Sequence, residues 1–383
     1  MIAYKEIAQI KNVKGLNPVT GDYSYEENGR GYLYIDGVLL EKEEAASKIV
    51  SVGEYTYVRY NRYGALEVYS GHTLLKVFER DIRLLDGDVG AYVGYRIYTP
   101  KTLDASENIL SISDGQPLLL HNVPYWLYKV GEEIIGYKIL ECKLSRLNYS
   151  GEVLWTFDLP LRPRSGEPDN LDKVLGIAQG LLWICTRWYR LIALDLETGK
   201  PVHQFSGGWF DEDHSNYIVL DSLGWCFFRE AEKTIVLISN FGVQILDATT
   251  AKIIEGYSFS EVDPQGIGAF EYFDAARLYG DCLTFIAQRH REAHGYRCAG
   301  IFDLKARQFS WIGDIISLEE KMSTGNHLIA QFPLQMEGNR LYIKDAENTL
   351  HIYQKEWRLK AQVRPQGEAT ASAACATAPT VGR

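Results

Sequence analysis

The densest run of groups able to do chemistry in this chain is Gly207-Gly-Trp-Phe-Asp-Glu-Asp-His214, where three successive carboxylates stand beside an imidazole. Carboxylate oxygens hold hard cations, but a calcium loop spaces its ligands regularly along the chain, and that spacing is missing here. A solvated acidic loop with two aromatic anchors fits better. Trp209 and Phe210 offer area to bury against a partner, and Asp211, Glu212 and Asp213, with His214 beside them, would steer a basic one. These six residues are the expected partner-binding site.

The remaining constellations carry less. His290-Arg-Glu-Ala-His294 has two histidines four apart, but not in the order His-Glu-x-x-His, and it falls between predicted strands, where that spacing does not give a helical face. It reads as a polar turn. There is no Gly-x-x-x-x-Gly-Lys-Ser/Thr phosphate loop, and nothing marks a nucleophile for a Ser/His/Asp or Cys/His arrangement. Arg162, Arg164, Arg187 and Arg190 read as ordinary solvated charge. Of the six cysteines none forms a CxxC pair, and Cys142, Cys185, Cys226 and Cys282 lie in apolar strand patterns, where a free thiol behaves as a small hydrophobe. The expectation is a protein without catalytic residues, metal or cofactor.

The elements that would position the loop are strands. An apolar run, a short turn and a second apolar or aromatic run recur about seven times, roughly 35 to 55 residues apart, which is the period of propeller blades. The clearest copy is Leu191-Ile-Ala-Leu-Asp-Leu-Glu-Thr-Gly-Lys-Pro-Val-His-Gln-Phe205. Looser copies begin at Ala65, Ile109, Leu144, Val243, Ala299 and Leu350. In the template, 174–178, 181–186, 190–196 and 202–206 are β-branched and aromatic runs suited to a pleated, buried surface, and Gly180 supplies the positive φ of a two-residue reversal. The predicted fold is all-β, a seven-bladed β-propeller of four-stranded antiparallel blades near 49–79, 82–120, 123–159, 174–206, 224–259, 274–314 and 328–357. One domain is expected over 1–362, with 363–383 a flexible tail too poor in bulky apolar groups to offset its ordering entropy. An N-terminal strand should close the ring, and Tyr32–Leu40 alternates better than Ile2–Ile10, so 11–31 reads as a surface excursion.

Bulk properties exclude some partners. The formal net charge of −10 argues against nucleic acid or an anionic membrane, which both require a basic patch. No segment approaches the roughly eighteen uncharged apolar residues that span a bilayer. With no signal-like start, the expected location is cytoplasmic.

The stretch Leu191 to Lys200, with its Ala-Leu-Asp-Leu-Glu-Thr-Gly-Lys hairpin, resembles the repeat of pyrroloquinoline-quinone-like β-propellers, and Ser150-Gly-Glu-Val-Leu-Trp-Thr-Phe157 is similar, with Trp155 at the family's tryptophan position. Elsewhere the wording departs: Ala251 and Ala306 stand where that repeat has Gly. The resemblance covers roughly 45–360 and implies the propeller fold. The family's quinone-dependent enzymes are exported and clamp their cofactor, often with a vicinal disulfide; this chain has no adjacent cysteines, so no cofactor is expected. In such blades the long insertions 161–173, 206–217, 260–273, 291–295 and 315–326 should share one face, where binding groups concentrate. The functional expectation is a non-enzymatic propeller that binds a basic protein, in its specific form an immunity protein neutralising a toxin. The alternative is an enzyme or a small-ligand or sugar-binding propeller with a site at the central channel, which a channel plugged by apolar side chains would disfavour.

Overall fold

The computed structural model describes residues 2–17, 19–60, 65–79, 83–84, 92–98, 105–111, 125–162, 165–188, 190–207, 217–218, 225–292, 295–330 and 334–357. Their strands form eight sheets, numbered along the chain as I (13–42), II (46–79), III (83–111), IV (126–158), V (171–218), VI (225–258), VII (272–314) and VIII (335–357, joined by Ile2–Ile10). Seven of these hold four antiparallel strands; V carries an added two-residue parallel strand, and III has three described strands. Among the described residues helix is confined to α1 (Phe259–Val262), α2 (Pro264–Ile267) and α3 (Leu318–Thr324). The predicted class, an all-β propeller with seven four-stranded antiparallel sheets, is what the chain adopts.

The core consists of apolar layers, each between consecutive sheets. One cluster joins Ile135 and Trp155 of IV to Leu182 and Leu194 of V, the next joins Trp183 of V to Ile235 and Leu246 of VI, and another joins Val243 of VI to Phe273 and Phe302 of VII. Of the positions with inward alternation, Leu182, Ile192, Leu194, Val243 and Ile301 are buried and Ile245 is half-buried against the same layers.

A repeated node locks these layers in register. The third-to-fourth turn begins with an aspartate whose side chain ties down the turn: Asp195 Oδ1 accepts from Thr198 N at 2.8 Å, Asp247 Oδ1 from Thr249 N at 2.8 Å, and Asp303 Oδ1 from Ala306 N at 2.8 Å. The backbone of the next residue is then used twice. The N–H groups of Leu196, Ala248 and Leu304 donate to Gly180 O, Lys233 O and Asp281 O in the first turns of their own sheets, at 2.8, 2.9 and 2.8 Å. Their carbonyls accept from an aromatic of the preceding sheet: Trp155 Nε1 at 2.7 Å, Trp183 Nε1 at 3.0 Å and Tyr257 OH at 3.4 Å. Gly199 is required beside this node, because its φ is +69° and a Cβ there would lie 2.6 Å from the Trp155 ring.

The outer strands of six sheets share a second device, a β-bulge in the ladder between the third and fourth strands, which the regular ladder of sheet I lacks. Leu75, Leu154, Val202, Ile254 and Ser310 are the extra residues in II, IV, V, VI and VII, and Ile7 is the extra residue where Ile2–Ile10 pairs with VIII. All of these except Ser310 are aliphatic and turned to solvent.

Two expectations are corrected. Residues 11–31 are no excursion, for with 32–42 they build sheet I: their Gly and Asn residues serve tight turns, with positive φ at Asn12, Gly21, Asn28 and Gly29, and the tyrosines between them stack, Tyr23 on Tyr34 and Tyr25 on Tyr32. The closing strand is accordingly Ile2–Ile10, paired antiparallel with Leu350–Trp357 from Ile2 opposite Trp357 to Ile10 opposite Leu350, and not Tyr32–Leu40, which is already committed to sheet I. The expected tail at 363–383 lies outside the described residues.

A buried imidazole latches this seam. His351 presents Nδ1 to Glu6 Oε1 at 2.8 Å and Nε2 to Asp345 Oδ2 at 3.2 Å, while Asp345 also accepts from Asn326 Nδ2 at 2.8 Å and Thr349 N at 2.7 Å. Only the imidazolium can donate to both carboxylates. Burial opposes that charge, but the hydrogen bonds to Asp345 and Glu6 outweigh it and raise the His351 pKa; Asp345, also opposed by burial, is held below the usual carboxylate range by His351, Asn326 and Thr349. The raised histidine contributes stability that is full below its unfolded value of about 6.5 and is lost as pH rises through the folded value. The depressed aspartate contributes above its unfolded value of about 3.9 and loses that contribution as pH falls.

Two outcomes are expected. The gap in melting temperature between wild type and His351→Gln should be wider at about pH 5.5 than at about pH 9; an equal gap at both would mean the imidazolium is not what holds the seam. In chemical denaturation, Trp155→Ala should cost about 3–5 kcal/mol through lost packing. Trp155→Phe should cost only about 1 kcal/mol, the net value of its hydrogen bond, because Arg146 Nη1 also donates to Leu196 O.

Candidate binding face and central channel

Antiparallel strands taken in order put the first-to-second and third-to-fourth turns on one face, and the second-to-third turns and connections between sheets on the other. The connections 159–170, 259–271 and 315–334 and the turn 289–297 all fall on the second face. That face also gathers the exposed bulk of the turns: Ile139 and Leu140 in IV, Leu161 before V, Trp188 in V, Phe241 in VI, and Leu318 and Met322 on α3. On the opposite face, among the described turn residues, only Val19 and Tyr149 are large, apolar and comparably exposed. Leu140 is 95% exposed, Met322 70% and Phe241 68%, so none of the three is there for packing within the chain.

The elements carrying this face are anchored rather than loose. In the connection from VI to VII, Ser258 and Glu261 form a reciprocal capping box on α1, and Asp263 accepts from Gly266 N at 2.9 Å and Phe309 N at 2.8 Å. Phe259 and Phe270 bury themselves edge-on among Phe273, Phe302 and Phe309. In the turn after Gln288, Arg297 forks onto Glu292, with Nε to Oε2 at 2.7 Å and Nη2 to Oε1 at 2.6 Å, and reaches Asp314 Oδ2 with Nη1 at 2.7 Å. Arg289 takes the other oxygen of Asp314 at 2.7 and 2.8 Å, and Lys321 of α3 donates to Gly295 O at 2.8 Å. The Arg297 hydrogen bonds hold the Glu292 carboxyl below its ordinary range; Asp314 is lowered too, since Arg297 and Arg289 outweigh its burial.

Along the axis runs a channel of about 1210 Å³, walled by the first strands of IV, V, VI and VII. Its described lining is mixed: Asp172, Lys173, Arg277, Tyr128 and Tyr279 line it, Lys173 Nζ lies 5.4 Å from the centre of the Phe227 ring, and Arg229 Nη2 bonds Gly280 O and Asp281 Oδ1 at 2.9 Å. An apolar plug, the feature that would have disfavoured a channel site, is not found among the described residues. Among the described residues no group of three or more His, Cys, Asp or Glu side chains could hold a metal ion.

Trp209, Phe210, Asp211, Glu212, Asp213 and His214 lie outside the described residues, as do Arg164, Ala293 and His294. The described part of His290–His294 is a turn whose Glu292 is committed to Arg297. Arg162 stacks over Trp188 at 5.7 Å and bonds Glu167 Oε2 at 3.1 Å, with Arg187 exposed nearby. Sequence reasoning missed Leu140, Phe241 and Met322. Each is a bulky apolar residue beside a turn or charged residue, as in Leu140-Glu141, Phe241-Gly242 and Lys321-Met322, a pattern that does not tell an exposed side chain from a packed one.

No protein-family model and no curated protein matches this chain. Solved structures do. Sqt1 of Saccharomyces cerevisiae aligns with 92% of this chain and 97% of its own at 10% identity and a TM-score of 0.54. The C-terminal WD40 domain of Sif2 covers 92% and 98% at 12% identity and a TM-score of 0.56. BamB from Moraxella catarrhalis covers 92% and 100% at 12% identity and a TM-score of 0.47. For Sqt1 and the Sif2 domain, at such identity, the likeness is one of fold, the β-propeller.

Because Arg297 is mostly buried between Glu292 and Asp314, Arg297→Ala should cost about 3 kcal/mol or more in chemical denaturation. Hydrogen exchange should rise first in 289–297; exchange unchanged there would show that the ion pairs do not hold the turn.

Proposed function

We propose that this protein is a non-enzymatic propeller that binds another protein through the face bearing its insertions. One observation carries the reading: the exposed bulky side chains of the turns are sorted onto that face, part of which is anchored by the Glu292–Arg297–Asp314 network and the phenylalanine layer. Rigid apolar anchors with a polar surround are what protein interfaces use, because little ordering entropy is lost when they dock. The partner we propose is basic, complementary to a net charge of −10. We assign Trp209 to His214, which lie between Gly207 and Tyr217 in the sequence, to the same interface. In its most specific form the protein is a cytoplasmic immunity protein that occludes a basic toxin. The Trp155 indole seated on Gly199 and Leu196 O supports reading the repeat as pyrroloquinoline-quinone-like.

A second reading, a small ligand in the channel, draws support from the open, mixed polar and aromatic lining between Lys173 and Arg277.

The test is capture of the partner from the native host followed by titration calorimetry and stopped-flow association. Trp209→Ala and the pair Leu140→Asp with Phe241→Asp should each weaken binding by about 2 kcal/mol or more, while Val19→Asp on the opposite face leaves it unchanged. Converting Asp211, Glu212 and Asp213 to their amides should slow association, less so at high salt. Wild-type affinity in every variant would move the site off this face and leave the channel as the better reading.

A further inference from the structure

Sheets V and VI meet at a pair of thiols. Cys185, on the second strand of V, and Cys226, on the first strand of VI, are buried in one apolar layer with Trp183, Leu191, Ile235 and Leu237, and their sulfurs stand 3.7 Å apart. They are free thiols, and the gap is short enough for side-chain rotation and a small approach of the two strands to bring the sulfurs to the roughly 2.05 Å of a disulfide. The other described cysteines have no such neighbour: Cys142 lies in a turn of IV, and Cys282 and Cys298 sit at opposite ends of paired strands in VII, with Cys282 facing Asp303 and Cys298 facing Ala287. Cys226 also lines the central channel, which gives a small reagent a path to a thiol that is otherwise covered.

We infer that Cys185 and Cys226 form a site of oxidative modification, closed to a disulfide by a low-molecular-weight disulfide that enters through the channel. The electrons balance in two exchanges. The Cys226 thiolate attacks one sulfur of R–S–S–R, forming a mixed disulfide and expelling RS⁻, which takes up the proton that Cys226 gave up. The Cys185 thiolate then attacks Cys226 Sγ and expels the second RS⁻, which is protonated in turn. Two protein thiols are oxidised to one disulfide, and the reagent is reduced to two molecules of RSH. The Cys185 pKa is pushed up by its hydrogen bond with Cys226 and by burial, so the second exchange quickens as pH rises. The product staples two neighbouring blades at the channel wall and closes a loop across the unfolded chain from 185 to 226, which raises resistance to unfolding.

The experiment exposes the folded protein to oxidised glutathione at about pH 7 and about pH 9, alkylates the remaining thiols in denaturant, and maps the peptides without reduction. A Cys185–Cys226 linked peptide is expected, formed faster at the higher pH, absent in Cys226→Ala and in Cys185→Ala, and reversed by dithiothreitol. The oxidised wild type should melt about 5 °C higher than the reduced form. Cys185 and Cys226 both recovered alkylated after Cys142 has reacted would overturn the inference, as would a link that appears only in denaturant. A link without a rise in melting temperature would overturn the staple.

Discussion

Sheets IV to VII grip one another in turn through one residue whose backbone is used in both directions. The residue after the turn aspartate, Leu196, Ala248 or Leu304, gives its N–H to its own sheet and its carbonyl to an aromatic of the sheet before. Each hydrogen bond is worth only about 1 kcal/mol net. Their importance is geometric: the apolar layers supply most of the free energy but are indifferent to sliding, whereas a directed N–H or O–H fixes how far one sheet is rotated against its neighbour. With that angle set, the channel width, the sorting of turns to two faces and the meeting of Ile2–Ile10 with Leu350–Trp357 follow.

Much of this was legible in the residues, and the failures have physical causes. Blades whose third strand ends in Asp, with a hydroxyl or Gly in the turn, announce themselves at Leu191–Lys200 because strand and turn chemistry agree there. Sheet I was misread because its Gly, Asn and Glu residues look like loop by composition, although they occupy turns between short strands whose tyrosines stack across the sheet. Taking it for an excursion forced the wrong strand into the closing seam. The correct one, Ile2–Ile10, alternates imperfectly because it carries the bulge at Ile7. At the candidate face, the exposure of Leu140, Phe241 and Met322 could not be seen in one dimension, since an apolar residue in a turn looks the same whether it packs down or stands out. The pairing of Glu292 with Arg297 and Asp314 was equally hidden, for it depends on three strand ends converging.

The face and the channel differ in how they are built. The face presents side chains whose supports are buried, so its shape is set before any partner arrives. The channel wall is made of the first strands of four sheets, and its charged residues, such as Lys173 over Phe227, stand among aromatic and aliphatic ones. Preorganised anchors favour recognition of a large, stiff surface, while a long wall of alternating character favours passage of small solutes, which is how a low-molecular-weight disulfide would reach Cys226.

The bulges on the outer strands bear on what this molecule can become in a crowd of copies. A wheel of sheets exposes one unpaired strand edge per blade, and aliphatic side chains such as Leu75, Leu154, Val202 and Ile254 on a straight edge would be a template for growth into fibrils. Each of these residues is itself the extra one in its ladder, so the two-residue alternation changes phase there. A strand adding from outside would keep register on one side of the bulge and lose it on the other. The one addition among the described residues, Tyr217–Ile218 on sheet V, pairs with Ser206 and Gly207, beyond the bulge and within its own chain. On sheets II, IV, V and VI the rim is a set of broken rulers, on which a misfolded neighbour finds only short stretches to copy.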